Sequence, residues 1–293
     1  MTTVLVTGAS GMIGSRLVRE LAARGHDVRA SVRTADRAAT LGDLATLAVI
    51  ADLDDPAAVD RAVAGCDQVV LIAANSERQA QQELTVIDAA ERHGVAYLIK
   101  LSVGGPAADA PLALARDHYR SEQRLQAAGV PATVVRPGFV MQNLLQFAAW
   151  IQPDGTWRLP FGDGAMAMVD AVDVAAALAV LVGSGRPTAD QVWTGAESLT
   201  MADAAQQLSG ATGRPITYAD GDAEAFYEHY VADGHEPRYA RDITVLYDQI
   251  VRAGWVAPVA PDLEQVLGRA PRTFAQFAAE HAAEFAATPS SPE

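Results

Sequence analysis

The chain has 293 residues, half of them hydrophobic, and its 36 acidic and 22 basic side chains leave a formal net charge of −14. So acidic a surface repels phosphate backbones, and no basic run offsets it, which excludes non-specific nucleic-acid binding. Cys66 is the single cysteine, so a disulfide within the chain is excluded and a cysteine-based metal site is disfavoured. No apolar run is long enough to span a bilayer, and the first residues enter a strand without a signal-peptide pattern. The expectation is a cytoplasmic protein with a small-molecule partner, no metal, no membrane, and a homodimer among its assemblies.

The first predicted strand, Val4 to Val6, stops at a glycine-rich turn, and a helical pattern starts at once with Ile13, Leu17 and Leu21 along one face. A strand, a tight turn and a helix N-terminus form a dinucleotide cradle. Gly8 allows the sharp turn, Gly11 lets a diphosphate approach the backbone, and Gly14 lets the helix pack closely. Thr7, Ser10, Met12 and Ile13 complete the candidate contacts, with the first helical N–H groups facing the phosphates.

Asp27 to Val32 reads as the second strand, followed by Arg33 and, one helical turn later, Arg37. An acid at this strand end would accept from a ribose 2′-hydroxyl, whereas arginine pairs with a 2′-phosphate. No acid occurs before Asp36, so NADP(H) is the expected cofactor. Leu47 to Ile50 is the third strand. Asp52 and Leu53 then fall where an adenine would rest, and Asp54 and Asp55 read as caps of a helix with Pro56 at its first position. Gln68 to Ala73 is a continuous apolar strand. Ala73, Ala74 and Asn75 lie at its carboxyl end, where ligands collect in open α/β sheets. Asn75 is a ribose or nicotinamide contact or a helix cap.

A helix from Glu77 to His93 leads to the fifth strand, Tyr97 to Leu101, and then to Ser102. The helix Pro111 to Ala128 and the strand Ala132 to Arg136 follow, closed by Pro137, itself a candidate cofactor contact. The repeated alternation predicts an α/β fold, a doubly wound parallel sheet of the Rossmann type. The expected organisation is a dinucleotide-binding domain over 1–138, a smaller, mainly helical substrate-binding part over 139–287 interleaved with it, and a disordered tail, Thr288 to Glu293. After Gly138 aromatics and methionines gather, from Phe139, Trp150, Trp157 and Phe161 to Phe226, Tyr230 and Tyr247. They either line a substrate pocket or form a second core, and for any single one the core is the better expectation.

These residues resemble the NmrA-like, atypical short-chain dehydrogenase/reductase family. The resemblance rests on Thr7-Gly8-Ala9-Ser10-Gly11-Met12-Ile13-Gly14, on His118-Tyr119-Arg120-Ser121-Glu122, and on Gly129 through Arg136-Pro137-Gly138-Phe139. Asp170 through Ala175 and Gly268 through Phe274 match later landmarks in the right order. The resemblance implies an oxidoreductase using NAD(P)H, in a group that holds quinone and azo reductases and redox-sensing regulators.

Typical members of the wider superfamily reduce carbonyls with a Ser, and with a Tyr and Lys four residues apart on one helix. Aligned on Glu122 and the Gly129 turn, this chain has Leu114 at the tyrosine and His118 at the lysine position, so the phenolic acid is missing. Lys100, Ser102 and His118 are the catalytic candidates that remain. Lys100 either reaches the cofactor ribose or snorkels out of the sheet. His118, expected to titrate near neutrality, is the proton-donor candidate, with cofactor positioning as the alternative. In the isoflavone-reductase branch the resemblance places a lysine there. The leading expectation is hydride transfer from NADPH to a quinone-like or conjugated acceptor. The alternatives are an NADP(H) sensor without turnover and a biosynthetic enzyme of non-redox chemistry.

Overall fold

The computed structural model describes residues 2–45, 47–50 and 52–286; the tail Thr288 to Glu293 lies outside them. The chain divides into two compact units. The first comprises Met1–Pro137, Ala171–Val192 and Gln265–Leu267. The second comprises Gly138–Asp170, Trp193–Glu264 and Gly268–Glu293.

The first unit alternates strictly: β1 (Thr3–Val6), α1 (Met12–Ala23), β2 (Asp27–Val32), α2 (Ala35–Ala39), β3 (Leu47–Ile50), α3 (Pro56–Val63), β4 (Gln68–Leu71), α4 (Gln79–Arg92), β5 (Tyr97–Leu101), α5 (Ala113–Ala128) and β6 (Ala132–Pro137). The strands lie in the order β3-β2-β1-β4-β5-β6, with Gln191–Trp193 added beside β6. Every pairing from β3 through β6 is parallel. The order reverses at β1, the switch point at which open sheets of this kind take ligands. This is the doubly wound sheet read from the alternation.

Two helix layers cover the sheet. The helix α6 (Ala171–Ser184) packs on α1, while α3, α4 and α5 pack in succession. One core joins Val59, Val69, Leu71, Ile87, Leu98 and Val134 under the α3–α5 layer. Side chains alternate faces along a strand, so Lys100 points into the same layer as Leu98. The helix starts follow local chemistry. Thr34 caps α2 and Asp55 caps α3, with Pro56 in its first turn. Two predicted helices begin later than read: α4 starts at Gln79, not Glu77, and α5 at Ala113, not Pro111.

The second unit has a core of its own in which most of the aromatics are consumed. Phe147, Trp157, Phe161, Tyr230, Tyr247, Phe274, Phe277 and Phe285 are buried, with Phe139, Trp150 and Tyr239 packed against them. Phe161 stacks on Tyr247, ring centroids 4.1 Å apart. Thr156–Leu159 pairs parallel with Thr217–Asp220, and a capping box of Thr200 and Asp203 starts the helix Met201–Thr212.

Candidate functional site

The glycine turn between β1 and α1 is fixed by its own backbone. Gly8 adopts φ 59°, and a Cβ there would lie 2.8 Å from the Ile72 carbonyl. A Cβ on Gly14 would sit 2.2 Å from the Gly8 carbonyl. Both positions therefore need glycine for internal packing alone. Gly11 differs: a Cβ there would meet only the Gly8 carbonyl, at 3.1 Å, and it faces open space otherwise. Gly11 and Met12 are exposed, and Ser10 and Ile13 half-buried. Gly11 is the N-cap of α1 and provides no side-chain cap, nor is there an acidic residue in the first turn. The first N–H groups of a helix have no intrahelical partner. Here they sit behind a bare glycine at the positive end of a twelve-residue helix, which fits a diphosphate. Thr7 plays a different part from the one expected. It is buried, and its hydroxyl donates to the Ile72 carbonyl at 2.8 Å and accepts from the Ile72 amide at 2.8 Å. It ties the ends of β1 and β4 together and so fixes the floor of the turn.

Arg33 and Arg37 are both exposed beyond the end of β2. The Arg37 backbone amide donates to the Thr34 hydroxyl, which holds the start of α2. Asp52 is exposed, and one of its carboxylate oxygens accepts from the Asp54 amide. Leu53, expected beneath an adenine, packs against the core under α3 and α4. Asp55 is the cap; Asp54 instead binds Arg78 at 3.2 Å and Gln82 at 3.1 Å. Ala74 and Asn75 are exposed and Ala73 half-buried at the carboxyl end of β4; Pro137 is half-buried at the end of β6.

The three catalytic candidates converge between β5 and α5. Two residues along a strand advance about 6.6 Å and four along a helix about 6 Å. Lys100 and Ser102 can therefore each meet one of the pair His118 and Glu122. Lys100 Nζ lies 2.8 Å from His118 Nδ1, and Ser102 Oγ donates to Glu122 at 2.5 Å. Arg136 holds Glu122 from the other side at 2.7 Å and reaches Asp190 at 3.1 Å.

Lys100 does not snorkel. It is fully buried, 2.8 Å from the equally buried carboxylate of Glu83. Glu83 also receives the Ser121 hydroxyl, and the Gln79 amide ends 2.7 Å from His118 Nε2. Burial draws the Lys100 ammonium below its usual range, against the pull of Glu83. His118 is also corrected: burial, then the charges of Lys100 and Arg136, push it well below 6.5, so it does not titrate near neutrality. Both ring nitrogens are engaged inside the cluster.

Glu83, Gln79 and Ser121 escaped the sequence reading. The signal was present, because Glu83 interrupts the otherwise apolar stripe of Ala80, Ile87 and Ala90 on the buried face of α4. A lysine in a buried strand needs a carboxylate on the helix layer that covers it. Among the described residues, no helix is long and apolar enough to cross a membrane.

Comparison with known proteins adds the lineage. Residues 1–264 match the model of the NmrA-like family. An NAD(P)H azoreductase of Xenophilus azovorans is 33% identical over 97% of this chain and 99% of its own. A (4-alkanoyl-5-oxo-2,5-dihydrofuran-3-yl)methyl phosphate reductase of Streptomyces griseus is 34% identical over 97% and 99%. An Escherichia coli NADPH-dependent quinone oxidoreductase, solved in complex with NADPH, superposes with a TM-score of 0.84 at 25% identity, over 94% of this chain and 99% of its own.

Proposed function

This chain belongs to the NmrA-like family, and from that premise we propose that it reduces a quinone-like or similarly conjugated small molecule at the expense of NADPH. It is an NAD(P)H-dependent oxidoreductase with NADP(H) as its cofactor. The named activities of its relatives, on azo compounds, quinones and an unsaturated lactone phosphate, share one requirement: an acceptor whose conjugation takes up hydride.

The observation that carries the reading is that none of the three candidates, Lys100, Ser102 and His118, is left as a free acid: each is bonded within the buried cluster. On the alignment read from the sequence, the buried Leu114 takes the place of the usual tyrosine, and both ring nitrogens of His118 are bonded inside the cluster. Reduction of an isolated carbonyl makes a strongly basic alkoxide and needs such an acid. Reduction of a quinone leaves a stable phenolate, for which orientation suffices.

When bound, NADPH supplies the hydride. The N-terminus of α1 behind Gly11 takes its diphosphate, and Arg33 and Arg37 take the 2′-phosphate. Ala73, Ala74 and Asn75 line the ribose on the nicotinamide side. Ser102 gives its proton to Glu122 and so offers lone pairs, not a hydrogen, to the site. Residues 1–137 carry the cofactor in this reading. The test is NADPH oxidation with quinones, azo dyes and unsaturated lactones beside isolated ketones. Turnover confined to conjugated acceptors is expected; preference for isolated ketones would overturn the reading.

A further inference from the structure

We propose that Lys100, Glu83 and Gln79 are positioning residues that hold His118 as a neutral ring carrying its proton on Nε2, so that the one proton taken up beside the hydride comes from water and not from this histidine. The first half stands on hydrogen-bond geometry; the second rests on the reductase reading above.

An ammonium has three hydrogens and no lone pair. Lys100 Nζ finds three acceptors: Glu83 Oε2 at 2.8 Å, His118 Nδ1 at 2.8 Å and the Leu101 carbonyl at 3.4 Å. Nδ1 therefore accepts, and the single proton of a neutral imidazole must sit on Nε2. That N–H needs an acceptor of its own, because a buried donor left without one costs its full desolvation. The only side chain brought to Nε2 among the described residues is the Gln79 amide, 2.7 Å away. Its oxygen is the one side-chain atom of the cluster without a partner. Two donors facing each other repel, and a half-turn of the amide sets the oxygen against Nε2–H, exchanging the long 3.4 Å bond from the amide nitrogen to Glu83 for a short one to the ring.

Glu83 completes the arrangement. Its carboxylate is fully buried and takes the Ser121 hydroxyl as well as Lys100, so the ammonium is kept opposite Nδ1. The groups that face the ring are Gln79 and Glu83 from α4 and Lys100 from β5. Arg136 on β6 adds positive charge at longer range, and Asp117 precedes the ring on α5, 3.9 Å from Arg120. One anion and one cation inside the cluster leave no net charge to stabilise an imidazolium. The overall reaction still balances: quinone, NADPH and one proton from water give hydroquinone and NADP⁺.

The test is ¹⁵N NMR of the histidine ring nitrogens in the intact protein from pH 5 to 8, with turnover of a quinone followed over the same range. For His118 a protonated Nε2 and an unprotonated Nδ1 are expected, unmoved across the range, with no inflection of kcat near 6.5. The Lys100→Met/Glu83→Gln double variant leaves no charge stranded and keeps the ring buried, so the Nε2–H form should give way to a mixture of the two tautomers; a ring still held on Nε2–H in that variant would overturn the positioning role. A proton on Nδ1, or titration of His118 near 6.5 in the unaltered protein, would overturn the proposal. If no acceptor is reduced by the protein, the reductase reading fails while the NMR result still decides the tautomer.

Discussion

Two strand ends along the same carboxyl edge of the sheet treat their polar groups in opposite ways. At the carboxyl end of β1 the chain leaves donors unanswered: α1 starts on a glycine with no side-chain cap and no acid in its first turn. At the end of β5 it answers nearly all of them: Lys100, Glu83, His118, Ser121, Ser102, Glu122 and Arg136 bond among themselves. Unpaired donors at a surface helix end are a place for a ligand, because water or an anion must complete them. Paired charges in the interior are scaffolding, since their value depends on every partner remaining in place. On the reading proposed above, the difference separates a cofactor cradle from a framework that shapes the site next to it.

The sharpest way to break this contrast is to remove one partner from the framework. Lys100→Met strands the Glu83 carboxylate, and a loss of about 3–5 kcal/mol in urea unfolding is expected. Adding Glu83→Gln should restore a large part of it; a single variant as stable as the parent would show that the pair carries no charge. In the cradle, Gly14→Ala presses a Cβ against the Gly8 carbonyl. A cost of about 1–3 kcal/mol is expected, together with weaker NADPH binding, by the usual penalty for overpacking.

Arg33→Ala tests whether the exposed end of β2 reads the 2′-phosphate. A charge-assisted bond contributes about 1.5–3 kcal/mol, so NADPH affinity should fall by roughly tenfold or more while NADH affinity stays. Equal loss for both nucleotides would contradict the assignment. Proton linkage provides a smaller and continuous probe. His118 is depressed in the folded state, so the unfolded chain binds a proton there that the folded one refuses. The stability this confers is present above about 6.5 and is lost as pH falls towards the depressed value. Between pH 7.5 and 5.5 the protein should lose more stability than a His118→Gln variant. Smallest of all, Asp55→Ala should cost about 1 kcal/mol through the lost cap of α3, with no change in NADPH affinity.

The cradle was legible in the sequence because its determinants are local. Gly8, Gly11 and Gly14 are set by a strand, a turn and a helix that are contiguous in the chain, and the acid-free Ser31-Val32-Arg33 follows one unit later. The framework was legible only in part, because it is assembled from four separate elements. Lys100 and Ser102 could be placed on one face of β5 from the strand period alone. Their partners on α4 and α5 lie some 20 residues to either side, and no spacing rule connects them. Thr7 shows the same limit at short range: its position beside the glycines suggested a ligand contact, yet its hydroxyl is taken up by Ile72 across the sheet. The aromatics after Gly138 could not be divided between pocket and core by composition, and the second unit buries most of them.

The most direct test of the central claim is NADPH oxidation followed at 340 nm with a panel of quinones, azo dyes and conjugated lactones, run beside NADPH binding by fluorescence. Saturable binding and oxidation that depends on a conjugated acceptor are expected. Tight binding with no oxidation across the panel would contradict the claim and mark the protein as a nucleotide sensor or a non-redox enzyme on the same fold.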